Sequence, residues 1–185
     1  ERVSRDEDPQ VRVSADVSRL VRSAALNRPL PELSAPNDVN SRQIRNYMAI
    51  FINQRSWQIL TRPGYSTSDC RRIADYMVAA TALMQDERKE SPGVYAALVN
   101  TLGVAQYRMG DYETALKILE KSAKAQPDNP LALAYLAMAQ QTLDRRDEAK
   151  QTFLKVQELM KKPRWLGDDD TVAAYDEASQ MFAEP

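Results

Sequence analysis

Residues Asn100 to Pro127 read NTLGVAQYRMGDYETALKILEKSAKAQP. The spacing predicts two helices joined by a tight turn. The first helix carries Leu102 and Gly103. Gly110 and Asp111 make the turn, with Asp111 as the cap of the second helix, which carries Ala115 and Leu119 and is closed by Pro127. Moved on by 34 positions the pattern recurs: Leu102 becomes Leu136, Gly103 becomes Ala137, Ala115 becomes Ala149 and Leu119 becomes Phe153. Small residues at matching points let helix axes approach more closely than large side chains allow. The larger residues of each set fill the space between adjacent pairs.

Composition agrees with a helical chain. Of 185 residues 43% are hydrophobic, enough to bury a core, and only 5 are glycine. Ala, Leu, Arg, Gln and Glu are abundant, and these lose little rotamer freedom in a helix. The 25 basic and 26 acidic residues leave a net charge of −1. That balance gives no electrostatic reason to expect nucleic acid or an anionic membrane as the main partner. No apolar run is long enough to span a bilayer, so direct membrane insertion is not expected. The chain has no histidine, the commonest general base near neutral pH and the commonest metal ligand. Cys70 is the one cysteine, which excludes an intrachain disulfide and a cysteine-based zinc site; it is expected to pack inside a helix. The chain starts at Glu1 without a signal-like segment and reads as a fragment or processed chain, with a cytoplasmic location expected.

In chain order, Glu1 to Gln10 is a charged lead-in. Val11 to Asn27 has an apolar helical face, and Pro29, Pro31 and Pro36 make an extended connector to Asn40. Residues 1–40 therefore form an N-terminal helix and linker. An array follows over 41–163, with repeats at about 41–90, 94–129 and 130–163. Its helices are expected at Arg42 to Leu60 with Ser41 as cap, from Ser68 or Asp69 to Arg88, Val94 to Met109, Tyr112 to Ala125, Leu131 to Leu143 and Asp147 to Lys161. In the first, Ile44, Met48, Phe51, Ile52 and Ile59 supply the apolar stripe. In the second, Ile73, Ala74, Met77, Val78, Thr81 and Met84 form the buried face. Residues 164–185 hold a linker and a capping helix from Thr171 to Phe182, whose apolar face is Val172, Tyr175, Ala178 and Phe182. Asp168, Asp169 and Asp170 lack the alternating ligands and internal glycine of a calcium loop, and helix capping accounts for them.

A helical pair of this period with small residues at these points resembles the tetratricopeptide repeat. The resemblance implies an all-α fold: a right-handed α-solenoid of about three helix pairs, with the N-terminal helix and linker before it and the capping helix after it. From about Asn53 onward the chain also resembles the carboxy-terminal module of bacterial, planctomycete-type multidomain proteins such as serine/threonine protein kinases. The matching stretches are NQRSWQILT (Asn53 to Thr61), Cys70 to Val78, NTLGVAQYRMGDYETAL and LAYLAMAQQTLDRRDEAK. The family implies a noncatalytic interaction module without cofactor or metal. No glycine-rich phosphate loop, HRD-like stretch or DFG is present to carry kinase chemistry.

In such arrays the first helix of each pair lines a concave groove. The resemblance places Ala97, Asn100, Val104, Tyr107 and Arg108 of the second repeat there, with Leu131, Ala134, Met138 and Gln141 of the third and Met48, Ile52 and Asn53 of the first. Mixed apolar and amide groups suit an extended or helical peptide. A related group of such domains grips the acidic carboxy-terminus of heat-shock chaperones with Lys, Arg and Asn. Here only Asn100 fits that clamp, while Val104, Leu131 and Tyr135 stand where polar or basic groups belong, so that partner is not expected. The leading expectation is a scaffold that binds a peptide or neighbouring domain through the groove. The alternatives are a structural subunit or tether of a larger complex, and the regulatory tail of a bacterial serine/threonine kinase.

Overall fold

A computed structural model describes residues 39–61, 64–85 and 88–183. Val39 and Asn40, read as the end of the proline connector, open the first helix instead; the helix expected over Val11 to Asn27 and the connector up to residue 38 lie outside the described residues. Within them the chain is all-helical: α1 (Val39–Leu60), α2 (Thr67–Leu83), α3 (Pro92–Arg108), α4 (Tyr112–Ala125), α5 (Pro130–Thr142), α6 (Arg146–Met160), the short α7 (Pro163–Leu166) and α8 (Asp169–Ala183). α1 with α2, α3 with α4 and α5 with α6 pack as pairs. Each pair meets the next, and the first helices α1, α3 and α5 also touch one another in order. This is a helical repeat solenoid, as the 34-residue period requires.

The repeat is visible at the level of single hydrogen bonds. At the end of α3, Gly110 N–H donates to Tyr107 C=O (3.0 Å) and Asp111 N–H to Gln106 C=O (3.0 Å). At the end of α5, Asp144 N–H donates to Gln141 C=O (3.1 Å) and Arg145 N–H to Gln140 C=O (2.9 Å). Both ends use the same closing motif, in which one residue turns left-handed so that orphan carbonyls find donors. Gly110 does so at φ 83° and Asp144 at φ 60°. The following helices differ in their caps. Asp111 accepts from Thr114 N–H at 3.2 Å, whereas Arg145 makes no side-chain cap bond and pairs with Glu148 and Glu120 instead.

Close crossing at Gly103 is also borne out. A Cβ there would stand 2.7 Å from Leu119 Cγ and Cδ2, so α3 and α4 approach only because the side chain is absent. Ala115, Ala137 and Ala149 have 0% exposure at the matching points. The central core runs from Leu60, Cys70, Ile73 and Met77 through Leu98 and Leu119 to Val156. Cys70 packs within α2 as expected, and burial pushes its thiol pKa up.

Several boundaries differ from expectation. α1 starts at Val39, so Ser41 lies inside it rather than capping it. α2 is capped by Ser66: its hydroxyl accepts from Asp69 N–H (3.1 Å) and Asp69 accepts from Ser66 N–H (3.0 Å). That reciprocal box moves the start ahead of the expected Ser68 or Asp69. Phe51 and Val78 are exposed, because the helix neighbours reach only part of each apolar stripe. α8 does more than close the end. It packs chiefly on α5 and also on α6 and α7, with Phe153 of α6 stacked on Phe182 (4.4 Å between centroids) and on Tyr175 (6.1 Å).

Candidate functional site

The first helices share one side of the array, and a cleft of about 530 Å³ opens there. α1 contributes Asn53, Gln54, Trp57 and Gln58, which recur on one helical face. α3 contributes Ala97, Asn100 and Thr101. Asn129 and Leu131 come from the start of α5, and Asp168 and Asp170 from the start of α8. Asn53, Ala97, Asn100 and Leu131, separated by up to two repeats in sequence, are thus brought together in one cleft.

The cleft's amides are not equal. Asn129 Oδ1 caps α5 by accepting from Ala132 N–H (3.3 Å), and its Nδ2 donates to Gln126 (3.1 Å). Asn100 is 5% exposed, and its Oδ1 accepts no hydrogen bond among the described residues. Asn53 Oδ1 and Trp57 Nε1 are likewise unpartnered. Buried polar atoms are rarely left unpaired, so three around one cleft is an observation that asks for a cause.

The remaining expected residues sit elsewhere. Val104 and Met138 have 0% exposure and belong to the core, as do Ala134 and Met48. Every residue from Ala132 to Gln140 is buried, because α4 and α6 pack on α5 on one side and α8 covers it on another. Along that run the third repeat's inner side is therefore filled by the chain itself, and only its two ends, Leu131 in the cleft and Gln141 beyond the run, are half-exposed.

Tyr107 and Arg108 are engaged within the chain. Arg108 donates to Glu177 of α8 through Nη1 and Nη2 at 2.5 and 2.6 Å, and through Nη2 to Tyr135 Oη at 2.9 Å. Its guanidinium lies over the Tyr65 and Tyr135 rings at 5.4 and 5.3 Å. Tyr107 packs edge-on against Tyr112 and Tyr135, and Trp57 meets Tyr135 edge-on at 6.2 Å. Burial works against the Arg108 charge, but the bond to Glu177 and the neighbouring groups outweigh it and raise the pKa. Burial, reinforced by the Glu177 charge, pushes the Tyr107 phenol up to about 12. Burial also raises Tyr135, so both phenols are neutral at ordinary pH. This cluster ties α1, α3, α5 and α8 together, and of its members only Trp57 lines the cleft.

A second cleft, of about 570 Å³, lies between α6 and α8. Its charged Lys161 is already paired with Glu158 at 2.6 Å. Among the described residues no group of three or more His, Cys, Asp or Glu is placed to hold a metal ion, and no helix is long and apolar enough to cross a membrane.

Fold and cleft together define a helical repeat array with an open inner surface over its first two pairs. A tetratricopeptide repeat is found at residues 106–167, by match to that family's model. The match begins in the last turn of α3 and ends at Gly167, so it takes in α4 to α7 and leaves out α1, α2 and α8. Repeats of this family generally mediate protein–protein interactions and bind proteins or peptides. No match to the chain was found among curated proteins.

Proposed function

We propose that the array is a noncatalytic interaction module that takes an extended segment of another protein in the cleft between α1, α3 and the start of α5. The observation that carries this reading is that Asn53 and Asn100, on neighbouring first helices, line one cleft and each has an amide oxygen without a partner among the described residues. An extended backbone offers a free N–H and C=O at each residue, and a side-chain amide has both complements. Leaving a buried acceptor unpaired costs about 1–3 kcal/mol, which a bound backbone donor returns. Leu131 and Ala97 supply the apolar contact between the amides. The noncatalytic part of the reading is supported by residue chemistry. The chain has no histidine, and its one thiol is fully buried with a raised pKa.

The double variant Asn53→Ala/Asn100→Ala tests it. Peptide ligands selected on the wild-type chain should bind the variant about tenfold more weakly or worse, since each lost amide bond is worth about 1 kcal/mol. Circular dichroism and melting temperature should be unchanged or improved, because the two acceptors have no partner to lose among the described residues. Undiminished binding by a folded double variant removes the cleft as the binding site.

A further inference from the structure

We infer that the segment this cleft takes is cationic: an extended peptide that places a Lys or Arg side chain between the two carboxylates at the start of α8 and the Trp57 ring. The inference rests on the reading of the cleft as a peptide site and adds the chemistry of its ligand. Asp168 and Asp170 line the cleft, and among the described residues no Lys or Arg does. The neighbouring Asp169 is exposed and adds to the same field. The amino-terminal end of α8 contributes an opposing charge of roughly +0.5, well short of neutralising three carboxylates. Arg55 of α1 is outside the lining; it donates to Gln58 at 3.3 Å and lies over the Phe51 ring at 5.6 Å.

The carboxylates alone would be only a helix start. Asn100 is the independent sign that something enters: it is nineteen-twentieths buried, lines the same cleft and has an unsatisfied oxygen. Asp168 uses one oxygen to accept from Thr171 Oγ1 at 2.7 Å. An ionised carboxylate accepts about four hydrogen bonds, so capacity toward a cation remains. Trp57 also lines the cleft, and an indole face is the best aromatic partner for an ammonium or guanidinium. Ion pair and ring–cation contact at the α8 end, with backbone pairing to Asn100 and Asn53 further in, give the ligand both a charge and a direction.

The test is selection of random dodecapeptides, displayed on phage, against the full chain. Selected peptides are then synthesised and measured by fluorescence anisotropy on wild type, on Asp168→Asn/Asp170→Asn and on Asn100→Ala. Asparagine caps a helix as well as aspartate and keeps an acceptor for Thr171, so the double Asn variant should fold, with circular dichroism as the check. The inference expects enrichment of Lys and Arg, affinity that falls with added salt, and a loss of about tenfold in the double Asn variant. Neutral or acidic winners that bind wild type but not Asn100→Ala overturn the cationic ligand and leave the cleft standing. Basic winners that bind the double Asn variant as tightly as wild type overturn it in the same way. No enrichment, or binding indifferent to every variant, brings down the cleft reading and the inference together.

Discussion

Asp144 occupies a position that the neighbouring repeat gives to glycine. Its φ of 60° is the left-handed conformation that costs an ordinary residue energy, and its carboxylate gains little in return. The Arg146–Asp144 pair has both side chains nearly four-fifths exposed, a setting in which ion pairs contribute little. Asp144→Gly is therefore expected to stabilise the array by about 0.5–1 kcal/mol, read as a raised urea midpoint with an unchanged slope. Tyr107 gives a pH dependence of known sign. Its phenol titrates near 10 when unfolded and at about 12 in the fold, so the folded chain holds that proton more tightly. The contribution is complete below pH 10 and drains away between about 10 and 12. Urea melts at pH 9 and pH 11 should show a stability loss that is smaller in Tyr107→Phe by about 1 kcal/mol. At this scale the small residues were the legible ones. Gly103, Ala115 and Ala149 follow from period alone, because close crossing tolerates nothing larger. Val104 and Met138 were not legible as core. Whether an inner-face residue is open depends on what later chain lies over it, and no local spacing records that.

Among the elements, α8 is the one whose role exceeds its sequence. Its acidic first turn and its Val172, Tyr175 and Phe182 face mark a terminal helix, and both features are present. The period does not reveal that it lies along α5 and sends Glu177 back to Arg108 on α3. The two partners are 69 residues apart, and from the sequence Arg108 was expected to face a partner in the groove rather than a carboxylate of the same chain. Glu177→Gln tests the clasp. The guanidinium keeps hydrogen-bond acceptors but loses its counter-charge in a half-buried setting, for an expected cost of about 1–2 kcal/mol. Differential scanning calorimetry should show one lowered transition, and peptide binding at the cleft should survive. The amide-bearing face of α1 was partly readable. Asn53 was identified, while Trp57, four residues on and on the same face, was not. The carboxylates of α8 at the cleft were missed, since their place there depends on the path of the chain through α7.

At the scale of the molecule, the array has two unlike halves. Over the first two pairs and the start of α5 the cleft is open and carries amide oxygens without a partner among the described residues; over the rest of α5 the chain is covered by α8. A repeat protein in which each pair meets only its neighbours opens from its ends, one unit at a time. The Arg108–Glu177 contact breaks that rule, because it joins the last helix to the second pair and bypasses the third. Fraying of α8 must then release Arg108, uncover α5 and unstack Phe153 in one event. Amide hydrogen exchange should show α8 and α5 sharing a single opening free energy, well above that of an ordinary chain end. In Glu177→Gln the two should separate, with α8 exchanging first. A solenoid tied in this way behaves as a knot of mutual dependence rather than a stack, and α8 is the last place from which it should come undone.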